Sequence, residues 1–179
     1  MAEKTIDIAS PILSRNEHLA DQLRQRFEQT NTYVINVLSS PGSGKTTTIL
    51  GTNERLRDKA SLRCAVIEGD IASDVDAITM KEAGMPAIQI NTGGLCHLEG
   101  NMIMEAVDAF DQAVGLENID VIFIENVGNL VCPVDFDLGE NLSIMILSVP
   151  EGDDKILRCE LFPHGHALVC ITHQKTEYI

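Results

Sequence analysis

The stretch VLSSPGSGKTTTI, residues 37 to 49, constrains this chain more than any other. An apolar run leads straight into two glycines, a lysine and a row of threonines. A phosphate-binding loop needs glycines where backbone amides curl around an oxyanion, a lysine that reaches the terminal phosphates, and a hydroxyl for magnesium. All of these belong at the start of a helix. Gly42, Gly44, Lys45 and Thr46 supply them, and Pro41, Ser43 and Thr47 complete the expected nucleotide-binding loop. The strict spacing G-x-x-x-x-G-K-S/T would put its first glycine at position 39, where the chain has Ser39. The strand before and the helix after carry the reading against a chance glycine-rich turn. Lys45 is expected at the β and γ phosphates and Thr46 on magnesium.

The rest of the chain provides a setting for such a loop. Short β-rich runs recur at 33–39, 63–69, 86–90, 120–125, 143–149 and 166–171, most of them bounded by Gly, Pro, Asn or Asp. They are nearly continuous in apolar character rather than alternating, as strands covered on both faces by helices must be. Helical stretches are expected at 45–58, at 73–83 and from about 97 to 114, where Leu98, Met102, Ala106 and Phe110 recur every four residues as a core stripe. A leading amphipathic helix, about 12–29, places Ile12, Leu19, Ala20, Leu23 and Phe27 on one face, with Arg15, Glu17, Asp21 and Arg24 toward solvent. The expected fold is α/β, a mostly parallel sheet with helices on both faces, as a single domain over residues 1–179.

Charge and composition exclude some functions. With 27 acidic against 13 basic residues, a net charge of -14 repels a phosphate backbone, so no nucleic-acid partner is expected. No segment approaches the roughly 18 apolar residues that cross a bilayer, so no membrane role is expected. The opening MAEKTIDIAS lacks a secretory apolar stretch, and a cytoplasmic location follows as an expectation. The five cysteines form no C-x-x-C, and Cys64 and Cys170 lie inside apolar runs as small hydrophobes.

Two strand ends carry carboxylates, Asp70 in VIEGD and Glu125 in VIFIEN. In an open parallel sheet these ends face the ligand crevice. Either carboxylate could hold magnesium or an attacking water, or could cap a turn. Gly128, three residues after Glu125, fits a backbone amide that senses a γ-phosphate. NTGGLCHLEG places Cys96 and His97 at the expected start of the long helix, and Cys132 follows the next strand. Two thiols and an imidazole suit zinc or nickel but leave a tetrahedral site one ligand short, which water or a second chain could complete. A structural cysteine and a helix-capping histidine are the alternative. The helix N-terminus is expected to lower the Cys96 thiol pKa, making the thiolate more available as a ligand.

SSPGSGKTTT (39–48), VIEGD (66–70), AIQINTGGLCHLEG (87–100), FIENVGNLVCPVDFDLGE (123–140) and LSVPEGDDK (147–155) together resemble the HypB family, GTPases that assist nickel insertion during NiFe-hydrogenase maturation. Ser39 in the first glycine position is usual in that family. The resemblance implies a P-loop NTPase of the dimerising SIMIBI class, with GTP and Mg2+ handled by Lys45, Thr46, Asp70 and Glu125. It also implies a Ni2+ or Zn2+ site at Cys96, His97 and Cys132, a homodimer, and hydrogenase-maturation partner proteins. The adjacent Cys-His pair separates the chain from the similar urease accessory GTPase UreG, whose Cys and His flank a proline.

The resemblance weakens after residue 155. Where the family has DKPLKYP the chain has DKILRCE, and where N-K-x-D reads guanine it has THQK, with Lys175 at the aspartate position. An aspartate accepts two hydrogen bonds from the guanine edge and a lysine accepts none. Family members continue beyond the position of Ile179, so a shortened base pocket and an uncovered sheet edge are expected. A metal carrier with weak nucleotide turnover, and an NTPase without guanine selectivity, are the alternatives to a GTPase.

Overall fold

The computed structural model describes residues 9–69, 79–80, 82–148 and 167–171. The helix expected over 73–83 lies mostly outside them. Six strands form one parallel sheet: β1 (Tyr33–Ser39), β2 (Cys64–Glu68), β3 (Ala87–Gln89), β4 (Val121–Glu125), β5 (Leu142–Ser148) and β6 (Ala167–Ile171). Their order is β3-β2-β4-β1-β5-β6. Each lies inside or within one residue of an apolar run picked out from the sequence.

Helices α1 (Ala9–Thr30), α2 (Lys45–Ala60) and α3 (Gly100–Val114) complete the described framework. Alternation along the strands sends residues to two separate cores. Val34, Ala65, Ile67, Ile122 and Ile124 pack with Leu23 and Phe27 of α1 and with Ile103, Val107 and Phe110 of α3. Ile35, Val37, Cys64, Val66, Val121 and Phe123 pack on the other face with Ile49 of α2. Helices therefore cover both faces, and burial raises the Cys64 thiol pKa to about 11, as suits an unreactive core residue.

Two local expectations change. Ile12 was placed on the buried face of the leading helix, yet it is 47% exposed. Ala20, Leu23 and Phe27 are buried as expected, and Asn16 rather than Ile12 extends that contact face toward the start of α1. The long helix begins at Gly100 rather than at His97, because the start is fixed from outside it. Asn16 of α1 accepts a hydrogen bond from the Gly100 N–H at 2.7 Å and donates to the Asp137 carbonyl at 2.7 Å. A Cβ on Gly100 would come within 2.9 Å of the Leu19 Cβ, so α1 and α3 meet here nearly backbone to side chain. Arg26 reinforces the pair by bonding Asp108 and, at 2.9 Å, Asp111.

Asn16→Ala is expected to lower stability by about 1–3 kcal/mol, because it strands the buried Gly100 amide and removes the donor to the partly buried Asp137 carbonyl. Urea unfolding should show a lower midpoint at an unchanged slope.

Candidate functional site

The carboxyl edge of the sheet gathers the chemistry. β1 ends at Ser39, and the turn into α2 contains Gly42 at φ +72° and Gly44 at φ +93°, left-handed positions that glycine takes without strain. Lys45 opens α2 and is buried at 7% exposure, with its Nζ donating to the Ser39 Oγ at 3.1 Å. The Ser39 hydroxyl in turn donates to the Ser40 carbonyl at 2.8 Å. Ser39 thus explains its own departure from the glycine pattern: it holds the lysine across the mouth of the loop.

The second residue of α2 faces β4. Thr46 Oγ1 donates to Glu125 Oε1 at 2.9 Å, and Glu125 is 6% exposed. A hydroxyl and a carboxylate in contact beside a glycine-rich loop make a hard-oxygen donor pair of the kind magnesium accepts. Asp70, the other carboxylate expected here, lies outside the described residues. Glu68, which the motif reading passed over, is 3% exposed and sits in register beside Glu125. Its signal was its phase: it continues the face of Cys64 and Val66.

Gly128 lies against the loop. A Cβ there would be 2.9 Å from the Pro41 Cγ, 3.1 Å from its Cα and 3.2 Å from its nitrogen. Two of those atoms are backbone, so the loop would have to move. Gly128→Ala is expected to weaken triphosphate binding about tenfold, the cost of displacing a positioned loop by a few tenths of an ångström. Nucleotide titration of both proteins reads it directly.

Cys96 and His97 lie in the segment between β3 and α3, after a turn with Gly93 at φ +62° and Gly94 at φ +97°. Cys132 opens a short 3-10 turn, Cys132–Asp135, after β4. The two elements touch. Asn129 Nδ2 donates to the Cys96 carbonyl at 3.3 Å, and Cys132 lies near enough to the Cys96 thiol to disfavour its ionisation. His97 turns Nδ1 toward the Cys96 Sγ at 3.6 Å and Nε2 toward Glu99 Oε1 at 3.3 Å, while its ring stacks on Phe136 with centroids 3.9 Å apart.

A carboxylate behind one imidazole nitrogen, with the other facing a thiol, is the usual arrangement around a histidine ligand, so the residues fit a thiophilic divalent ion. Among the described residues no three His, Cys, Asp or Glu side chains close into a cage within one chain. The expected lowering of the Cys96 pKa is not found. With α3 starting at Gly100, the thiol sits ahead of the helix, and hydrogen bonding to Cys132, burial and the neighbouring thiolate charge push its pKa above the ordinary value.

Residues 33–146 match the family described as CobW/HypB/UreG, nucleotide-binding domain. The chain is 46% identical over 156 residues to the hydrogenase/urease maturation factor HypB of Helicobacter hepaticus, covering 87% of this chain and 63% of that protein. It is 45% identical over 164 residues to the hydrogenase maturation factor HypB of Escherichia coli K12, covering 92% and 53%. The chain thus spans between half and two thirds of those relatives.

Among solved structures, HypB from Helicobacter pylori in complex with nickel superposes with a TM-score of 0.76 at 34% identity, covering 88% of this chain and 86% of that one. The hydrogenase maturation factor HypB from Archaeoglobus fulgidus gives a TM-score of 0.78 at 36% identity, covering 88% and 74%. The signal recognition particle receptor FtsY from Elizabethkingia anophelis, 17% identical with a TM-score of 0.58, shares the P-loop NTPase fold.

Proposed function

The chain belongs to the HypB family, and from that premise we propose that it binds and hydrolyses GTP to assist nickel insertion into NiFe-hydrogenase. The observation that carries the proposal is the convergence at one sheet edge. Lys45 and Thr46 lie on one side, Cys96, His97 and Cys132 on the other, and the segment from Gly128 to Asn129 touches both sides. The relatives' names, hydrogenase and hydrogenase/urease maturation factor, and the nickel bound by the Helicobacter pylori protein support it.

In this reading Lys45 contacts the β and γ phosphates, and the amides of the loop from Pro41 to Thr47 cradle them. Thr46 and Glu125 would hold magnesium, with Asp70 as a further carboxylate. Magnesium when bound neutralises charge that develops on the phosphate oxygens. Glu125 accepts from Thr46 and keeps its hydroxyl aimed at the loop. Gly128 brings its backbone against Pro41, where a γ-phosphate can reach it.

Nickel is cargo, held by Cys96, His97 and Cys132, and zinc suits the same donors. A second copy would supply what one chain lacks. Leu95 at 42% and Val131 at 69% exposure flank the two thiols and offer apolar surface to a homodimer. Maturation proteins that receive nickel would be further partners, and the location would be cytoplasmic. No helix among the described residues is long and apolar enough to cross a membrane.

THQK at 172–175, outside the described residues, favours a second reading, an NTPase without guanine selectivity or a metal carrier with weak turnover. Titration with GTP, GDP and ATP in the presence of magnesium distinguishes them. GTP bound tighter than ATP is the expected result, equal affinities defeat the guanine-specific reading, and no binding leaves the carrier.

A further inference from the structure

On the α2 face, three adjacent strands each give up their apolar pattern at the carboxyl end for a polar side chain: Ser39 on β1, Glu125 on β4 and Glu68 on β2. Ser39 holds Lys45 and Glu125 holds Thr46. Glu68 stands directly beside Glu125 in the parallel register. Neighbouring strands lie about 4.8 Å apart and side chains in register leave the sheet on the same face. Cys64 and Val66 pack in one cluster with Val121, Phe123 and Ile49, so Glu68, two residues further, continues that face at the foot of α2.

Both carboxylates are more than nine-tenths buried. The phosphate-loop motif does not ask for a second carboxylate at this point. An apolar side chain would avoid the desolvation that a buried carboxylate incurs and the repulsion between like charges on adjacent strands. Those costs are offset where a cation is to be held.

We propose that Glu68 is a positioning residue for the divalent cation at the phosphate loop, acting beside Glu125. The inference rests on the GTP-binding reading of this site. The carboxylate pair opposes a triphosphate that arrives without a cation and favours one that arrives with it. Nucleotide and cation are therefore coupled more strongly than one carboxylate would allow. Removing one charge acts in opposite directions on the two states: cation-free nucleotide binds tighter, while the gain brought by the cation shrinks. A packing role for Glu68 would lower both affinities together.

The test is titration of the full chain with a fluorescent GTP analogue, first in a chelator and then with Mg2+, with bound Mn2+ read separately by electron paramagnetic resonance. Thermal melting shows that each variant is folded. Glu68→Gln is expected to tighten cation-free binding and to cut the Mg2+-dependent gain at least about tenfold, with weaker Mn2+ retention. Glu68→Asp keeps the charge and should keep the wild-type cation-free affinity, so it tests the argument even if glutamine unfolds the chain.

A Glu68→Gln gain equal to wild type, both affinities falling together, or tighter cation-free binding in Glu68→Asp each overturns the proposal. A wild-type protein that binds the analogue without regard to the cation overturns both this proposal and the magnesium-GTP reading beneath it. Normal coupling in wild type with an unaltered variant overturns this proposal alone.

Discussion

Lys45→Ala is expected to lower kcat for GTP hydrolysis by about two to three orders of magnitude, the loss seen when one preorganised donor to a developing anion is removed. The lysine is buried and already held by Ser39 across the loop, so its charge needs little reorganisation before the phosphate arrives. A charge held in place in this way stabilises the transition state more than a mobile surface lysine would. Ser39 should tolerate the change, since its hydroxyl keeps the Ser40 carbonyl as a partner. The folded protein should therefore survive with its melting temperature little altered. Single-turnover hydrolysis measured with saturating nucleotide separates this loss from weakened binding. A variant that hydrolyses GTP at the wild-type rate would remove Lys45 from the chemistry.

Lys45 could be singled out as a candidate because the parts of its motif are consecutive in the chain. The strands were legible for a similar reason: runs such as YVINVLS and VIFIE are buried on both faces, and continuous apolar character needs no knowledge of neighbours. The start of α3 was not, because it is set by Asn16, far away in sequence, which takes the Gly100 N–H. The direction of the Cys96 pKa was hidden for that reason and because Cys132, distant in sequence, lies beside the thiol and raises it. Ile12 has the right phase for the inner face of α1 but lies beyond the point where that helix meets its neighbour. Glu68 was passed over because a charged residue at the end of an apolar run reads as a boundary. Only the register with Glu125 shows it to be buried beside another carboxylate. The carboxylate Asp70 and the segment THQK, which stands where a base-reading motif was expected, lie outside the described residues.

Cys96→Ala is expected to weaken nickel binding at least about a hundredfold, more than the 10- to 100-fold typical when a residue behind a ligand is lost. The thiol is the group that both His97 Nδ1 and Cys132 face, so removing it separates the remaining donors. Equilibrium dialysis against nickel and zinc reads the loss, and unchanged binding of both ions would end the metal-site proposal. The surroundings also predict how nucleotide reaches this site. Pro41 of the phosphate loop lies against Gly128, and Asn129, the next residue, donates to the Cys96 carbonyl. On the other side, a Cβ on Gly69 would fall 2.6 Å from the buried Leu98 side chain, so the end of β2 bears directly on the segment that carries Cys96 and His97. A shift of the phosphate loop on hydrolysis therefore has two short paths to the thiols, each a chain of packed groups. Asn129→Ala keeps every metal donor but removes one path. It should bind nickel close to wild-type strength in the absence of nucleotide, while the difference between the GTP-bound and GDP-bound affinities narrows. If nickel affinity responds to nucleotide equally in both proteins, the Asn129 contact is structural and the coupling runs elsewhere, with Gly69 and Leu98 as the remaining route.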